Sequence, residues 1–283
     1  MRVLVFGKTG QLATELRRAL PGGVFLGRAR ADLADPAACA AAVRQHRPEA
    51  VINAAAYTAV DRAESEEALA AVINGDSPAA MARAAEEIGA VMIQPSTDYV
   101  FDGAGDAPFA PDHPTAPLNA YGRAKLAGEV GVRAAGGVHA ILRVSWVFSA
   151  HGSNFVKTTL RLGATRDQLA VVADQIGGPT PADDIARACL TIARALRDAP
   201  AFSGTYHFAG APDTSWAGFA RETFARSGMG CAVTDIPTSD YPTPARRPLN
   251  SRLDCSGLDV FGLDRPDWRA GLDRVLQELK VKA

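Results

Sequence analysis

Val3-Leu4-Val5-Phe6-Gly7-Lys8-Thr9-Gly10-Gln11-Leu12-Ala13 is the stretch whose reading decides the fold. Four apolar residues in a row suit a strand buried on both faces of a parallel sheet. Leu12, Leu16 and Leu20 then recur every four residues, which gives a helix one apolar face. Between strand and helix, Gly7 permits a tight turn and Gly10 lets backbone approach a ligand without a Cβ in the way. Ala13 is small where helix must pack on strand. A helix starting here points unpaired N–H groups and its positive dipole end at the loop, which suits a pyrophosphate. The stretch therefore predicts a dinucleotide site, with Gly7, Thr9, Gly10, Gln11 and Leu12 as contacts.

Further along, the same alternation repeats. Val24-Phe25-Leu26, Val51-Ile52, Val91-Met92-Ile93 and Ile141-Leu142 read as strands. Asp35-Pro36 and Ser77-Pro78 read as an N-cap followed by proline at the first helical position, and Gly89 is placed to end the second of these helices. Such alternation predicts right-handed βαβ units and a doubly wound parallel sheet of the Rossmann type. After Phe148 the regularity weakens, with glycine and proline clusters at Gly177-Gly178-Pro179 and from Pro237 to Pro248. Asp183 to Leu196 still reads as a helix and Thr205 to Phe208 as a strand. The expected division is a dinucleotide-binding domain from 1–148 and 180–210, with a smaller, discontinuous C-terminal lobe from 149–179 and 211–283. The cleft between them is the place for a substrate.

Composition narrows the function. The chain has 283 residues, 47% of them hydrophobic, and a formal net charge of −1. That is a folded α/β unit without the basic field of a nucleic-acid binder. No apolar run approaches the ~18 residues a membrane span needs, and no signal-peptide pattern is seen. Cys39, Cys189, Cys231 and Cys255 show neither CxxC spacing nor histidine pairing. Free thiols point to a reducing compartment, so a cytoplasmic location is expected.

Two arginines, Arg28 and Arg30, follow the second strand and suit the 2′-phosphate of NADP. Asp32 and Leu33 come next and can meet the adenine edge. Asn53-Ala54-Ala55-Ala56 follows the third strand, with small side chains that admit a cofactor. Tyr121-Gly122-Arg123-Ala124-Lys125 puts a phenol and an ammonium on one helix face, one turn apart. The ammonium is expected to lower the tyrosine pKa, so that Tyr121 can protonate a ketone oxygen as hydride arrives at its carbon. Lys125 can also hold the nicotinamide ribose. Ser96-Thr97 follows the fourth major strand, at the carboxyl edge where such sheets bind ligands. Either hydroxyl can orient the substrate carbonyl.

These blocks together make the chain resemble the dTDP-4-dehydrorhamnose reductases of the extended short-chain dehydrogenase/reductase superfamily, whose glycine loop has this GxxGxxA-like spacing. The resemblance spans GKTGQLA from Gly7, NAAAYTAVDRAE from Asn53, STDYVFDG from Ser96, YGRAKLAGE from Tyr121, RVSWVF from Arg143, NFVKTTLRL from Asn154, DQIGGPT from Asp174 and YPTPARRPLNSRLD from Tyr241. It implies reduction of the C4 ketone of dTDP-4-dehydro-β-L-rhamnose by NADPH or NADH, with Thr97, Tyr121 and Lys125 as catalytic residues. It implies Thr97, Tyr99, Tyr121, Trp146, Asn154, Arg246 and Arg247 as sugar-nucleotide contacts. Some members of the family dimerise through Mg2+ held by acidic side chains, and the matching positions are Glu15, Asp183 and Glu278. The aspartate stands where a longer glutamate is expected. Two alternatives stay open at this point. One is a reductase or epimerase of another sugar nucleotide. The other is a non-catalytic subunit like the partner of methionine adenosyltransferase.

Overall fold

The computed structural model describes residues 1–280. Its main sheet contains β1 (Val3–Phe6), β2 (Val24–Leu26), β3 (Ala50–Asn53), β4 (Val91–Thr97), β5 (His139–Val144) and β6 (Gly204–Phe208). The strand order is β6-β5-β4-β3-β1-β2, and every neighbour pairs in parallel. The longer helices are α1 (Gln11–Ala19), α2 (Pro36–His46), α3 (Ser77–Glu87), α4 (Ala120–Ala134), α5 (Phe155–Gly163), α6 (Ala182–Asp198), α7 (Trp216–Ser227) and α8 (Trp268–Glu278).

Period-two alternation along the strands explains why their apolar runs are unbroken. Val3, Val5, Ile52, Ile93 and Leu142 face one core with Leu16 of α1 and Ile185, Cys189 and Ile192 of α6. Leu4, Phe6, Val51, Met92 and Ile141 face the other with Val43 of α2, Met81 of α3 and Val132 of α4. Each fully buried side chain of this size contributes roughly 1.5–3 kcal/mol before entropy is counted. The chain leaves β1 toward β2 on one side and resumes at β3 on the other. The resulting crevice, above the carboxyl ends of β1 and β3, is a topological switch point.

The Asp35 cap forms as expected, its side chain accepting from the Ala38 N–H at 3.0 Å with Pro36 at the helix start. Gly89 closes α3 in the left-handed region at φ +68°. Ser77 departs from expectation. It is no N-cap, because α3 is entered from the π-helical turn Val72–Asp76 and Ser77 already has helical backbone angles. Its buried hydroxyl instead donates to the Leu33 carbonyl at 2.6 Å. That tie helps shape the loop after β2.

A third cluster of buried side chains, Phe148, Val156, Leu160, Phe219, Trp268, Leu272 and Val275, joins the end of the first expected domain to the C-terminal segments. Strand Gln168–Val172 pairs with Ala232–Ile236, and Ile176–Gly177 lies between Thr214–Ser215 and Asn250–Ser251. One part of the expected lobe returns to the main body. Leu253, Cys255, Leu258 and Phe261 pack into the first core beside β6, whose apolar side chains they cover. No helix among the described residues is long and apolar enough to cross a membrane.

Candidate active site

At the switch point the glycine loop is held by the sequence feature that predicted it. Gly7 sits at φ +113°, and a Cβ there would come within 3.1 Å of the Ala54 backbone. Its N–H donates to the Leu26 carbonyl at 2.8 Å, tying the loop to β2. Gly10 is the N-cap of α1 and offers no side-chain acceptor, so the first N–H groups of the helix stay free for an anion. A groove of about 1050 Å³ runs over this loop. It is lined by Gly7, Thr9, Gly10, Gln11 and Leu12, by Arg28, Asp32 and Leu33, and by Ala54, Ala55 and Ala56. It shares Leu12, Ala54 to Ala56 and Val147 with a narrower cavity of about 110 Å³, which Asn53, Ser96, Tyr121 and Lys125 line. The predicted cofactor residues thus fall on one continuous channel. A helix N-terminus, a loop without room for a Cβ and an arginine-bearing outer end fit a nicotinamide dinucleotide.

Tyr121 and Lys125 lie on α4, whose position is set by Asn119 and Gly122. The Asn119 side chain caps α4 by accepting from the Gly122 N–H at 2.8 Å, and its amide donates to the Arg246 carbonyl at 2.8 Å. A Cβ on Gly122 would lie 2.2 Å from the Tyr99 carbonyl oxygen. Absence of that Cβ lets the helix close on the turn Asp98–Val100, which sets Tyr121 against Tyr99 and near Thr97. The Tyr99 and Tyr121 rings meet edge to face, 5.7 Å apart. Thr97 also accepts from the Tyr99 N–H at 3.1 Å and donates to Asp98 at 3.1 Å.

The electrostatics correct one expectation. Burial, then the Asp98 carboxyl, push the Tyr121 phenol up to about 12, while the Thr97 hydrogen bond pulls it down. The Lys125 ammonium is directed to the Pro95 carbonyl, to which it donates at 2.7 Å, and burial and Asp98 outweigh any pull it exerts on the phenol. Burial pushes Lys125 down to about 8. The tyrosine is therefore kept protonated at neutral pH, which suits an acid. Asp98, which the motif reading passed over, is buried with one carboxylate oxygen unpaired, and burial pushes it up to about 6. Its only sequence signal was its place between Thr97 and Tyr99.

The other candidates are distributed unequally. Arg247 is part-buried and pairs with Asp61 at 2.8 Å, with one guanidinium nitrogen buried and unpaired. Arg246 is exposed nearby and contributes its carbonyl to Asn119. Trp146 stacks on Trp216 at 3.7 Å and takes a left-handed φ of +47°, a strained conformation for an aromatic residue. Asn154 is spent elsewhere. Its side chain caps α5 and donates to Gln11 and to the Ser149 carbonyl, at 2.9 and 2.8 Å. It fixes the phosphate loop against the lobe rather than facing a sugar.

The acidic trio is also rearranged. Asp183 is taken by Arg274 and Arg187, at 2.9 and 3.2 Å, because its short side chain reaches the guanidinium groups flanking it. His151 takes its place between Glu15 and Glu278, at 3.0 and 3.4 Å, and Arg18 bridges the two carboxylates at 3.5 and 2.5 Å. A hard cation that needs oxygen ligands and water meets a guanidinium and an imidazole there. Glu15, His151 and Glu278 still bring one ligand atom each within 4.8 Å of one another, but as a mixed oxygen and nitrogen set with Arg18 against both carboxylates, which suits a hard Mg2+ poorly.

The RmlD substrate binding domain model matches residues 1–281. The dTDP-4-dehydrorhamnose reductase of Sinorhizobium fredii is 45% identical, over 100% of this chain and 99% of that protein. That of Escherichia coli K12 is 43% identical over 99% and 98%. Among solved structures, the dTDP-4-dehydrorhamnose reductase of Clostridium acetobutylicum superposes with a TM-score of 0.92 at 36% identity, covering 99% of this chain and 100% of that one. The Bacillus anthracis enzyme in complex with NADP gives 0.91 at 35% identity, over 98% and 99%. With the glycine loop, the Tyr121–Lys125 spacing and whole-length similarity in agreement, the chain belongs to the RmlD family, the family of these dTDP-4-dehydrorhamnose reductases.

Proposed function

We propose that this chain reduces the C4 ketone of dTDP-4-dehydro-β-L-rhamnose to dTDP-L-rhamnose with NADPH or NADH, with Tyr121 as the proton donor. The observation that carries the reading is the convergence of Tyr121, Lys125 and Ser96 on the cavity at the inner end of the glycine-loop groove, with Thr97 next to Ser96 at the end of β4. A reduced nicotinamide bound in that groove supplies a hydride to the carbonyl carbon. Charge then builds on the carbonyl oxygen, where Thr97 and Tyr121 are the donors. The Tyr121 O–H bond breaks, its proton passes to that oxygen, and a hydroxyl results. Lys125, buried one turn away, is the cation available to compensate the phenolate. Arg247, with its unpaired nitrogen, suits the substrate diphosphate, and exposed Arg246 can add to it. The free cysteines, all buried, agree with a cytoplasmic location.

Initial rates with a panel of 4-keto sugar nucleotides test the substrate. The dTDP-linked rhamnose precursor should lead in kcat/KM by on the order of 100-fold, the discrimination one pocket can supply. A higher value for another sugar nucleotide would move the assignment. Arg28 and Arg30 set the cofactor preference in this reading. The Arg28 side chain is 82% exposed and held only by an exposed ion pair with Asp32 at 3.7 Å, which a 2′-phosphate can displace. Arg28→Ala is expected to raise KM for NADPH by about 10-fold, the weight of one charge-assisted contact, and to leave KM for NADH nearly unchanged. Equal effects on both cofactors would remove this role.

Lys125 gives the pH dependence. Its pKa is lowered to about 8, so the ammonium is present below that value and lost as pH rises through it. The kcat profile should therefore fall on its alkaline side near pH 8. Lys125→Arg, whose charge persists, should lose that limb while keeping reduced activity. A native profile flat to pH 10 would contradict the assignment.

A further inference from the structure

We propose that Glu129 is a positioning residue for the catalytic pair, holding the Lys125 ammonium electrostatically and, through Ser96, the end of β4 that carries Thr97. The proposal rests on the reductase reading of the site. Tyr121, Lys125 and Glu129 follow at i, i+4 and i+8 on α4, so Glu129 lies one turn behind the lysine. It is wholly buried. Ser96 donates to it at 2.6 Å, Arg143 donates twice at 2.9 and 2.7 Å, and Arg133 donates at 3.3 Å. Ser96 and Arg143 are register partners on β4 and β5, so one carboxylate clamps α4 to two strands. Arg143 is itself held by the Pro111 carbonyl at 2.9 Å, lies 3.3 Å from His207 of β6, and covers the Phe101 ring.

A carboxylate this deep needs a reason, because a buried ion pair gains little stability over apolar packing. The reason lies on its other side. Of the charged groups around Lys125, the Glu129 carboxylate is the one that opposes the burial of the ammonium. Tyr121 is uncharged at neutral pH, and the Pro95 carbonyl supplies only a dipole. Arg143 and Arg133 sit across the carboxylate and keep Glu129 ionised, and burial holds His207 neutral down to about 3. The anion thus stays charged across the working pH range.

The test is a direct titration of Lys125 in the full chain by NMR of labelled lysine. The chain has five lysines, and Lys125→Arg identifies the resonance. In Glu129→Gln the Lys125 pKa is expected to fall by about 1 unit or more, as for loss of one nearby opposite charge, and the alkaline limb of kcat to move with it. An unchanged Lys125 pKa in that variant overturns the proposal. If the orphaned Arg143 prevents folding, Glu129→Gln with Arg143→Met removes the stranded guanidinium from the core and carries the same two outcomes. Ser96→Ala should lower kcat by about 10-fold through misplaced Thr97 without moving the titration. Unaltered kcat there overturns the clamp. The titration needs no substrate, so failure of the native enzyme to reduce the sugar nucleotide would count against the reductase reading alone.

Discussion

Tyr121→Phe is expected to lower kcat by about 10²–10⁴-fold, the usual contribution of one positioned acid, with cofactor affinity retained. The substitution removes a single oxygen. The ring keeps its edge contact with Tyr99, and the groove walls contributed by the glycine loop and the alanines after β3 are untouched. What disappears is the hydroxyl that lines the cavity one helical turn from Lys125. Because burial and Asp98 hold the native phenol in its protonated form, the loss should be similar from pH 6 to pH 8. Steady-state rates with NADPH titrations by fluorescence separate the two effects. Near-normal kcat would require another proton donor, and buried Asp98, with its raised pKa of about 6, would be the next group to examine.

Gly122→Ala should be almost as damaging, although it removes no functional group. Its Cβ would lie 2.2 Å from a backbone oxygen, that of Tyr99, and 2.9 Å from Pro117. Neither can rotate away, so either α4 or the turn after Thr97 must shift. Overpacking of this kind costs about 1–3 kcal/mol of stability. A displacement of about 1 Å between Tyr121 and Thr97 can cost about 100-fold in kcat. Thermal unfolding and rates on the same preparation would show both losses. A variant with native Tm and native kcat would mean that the helix has slack at its catalytic end.

Much of this architecture is written in short stretches of sequence. Val3 to Ala13 shows its strand, its turn and its helix start because each depends on residues a few positions apart. Tyr121 and Lys125 are legible for the same reason, since helical spacing alone aligns them. What escaped the sequence depends on contacts across long separations. Asn154 looked like a sugar contact until its amide met Gln11, 143 residues away. His151 gave no signal as a partner of Glu15 and Glu278, because nothing local marks three distant elements as neighbours. Asp183 was expected with those two acids, and only the folded chain brings Arg274 close enough to claim it. Ser77 failed differently. Ser-Pro is a genuine start signal, but the π-helical turn before it continues the helix backwards and leaves its hydroxyl for Leu33. The expected fall in the Tyr121 pKa assumed that helical spacing alone would aim the ammonium at the phenol. The Pro95 carbonyl, presented by β4, took that ammonium instead.

Transfer of deuterium from NADPH deuterated at both C4 positions tests the central claim most directly. The enzyme is incubated with dTDP-4-dehydro-β-L-rhamnose, and the product is analysed by NMR and mass. The account predicts one NADPH oxidised per sugar reduced, with dTDP-L-rhamnose carrying the deuterium at C4. Oxidation with no label at C4, or a folded, cofactor-bound enzyme that leaves the ketone unreduced, would contradict it.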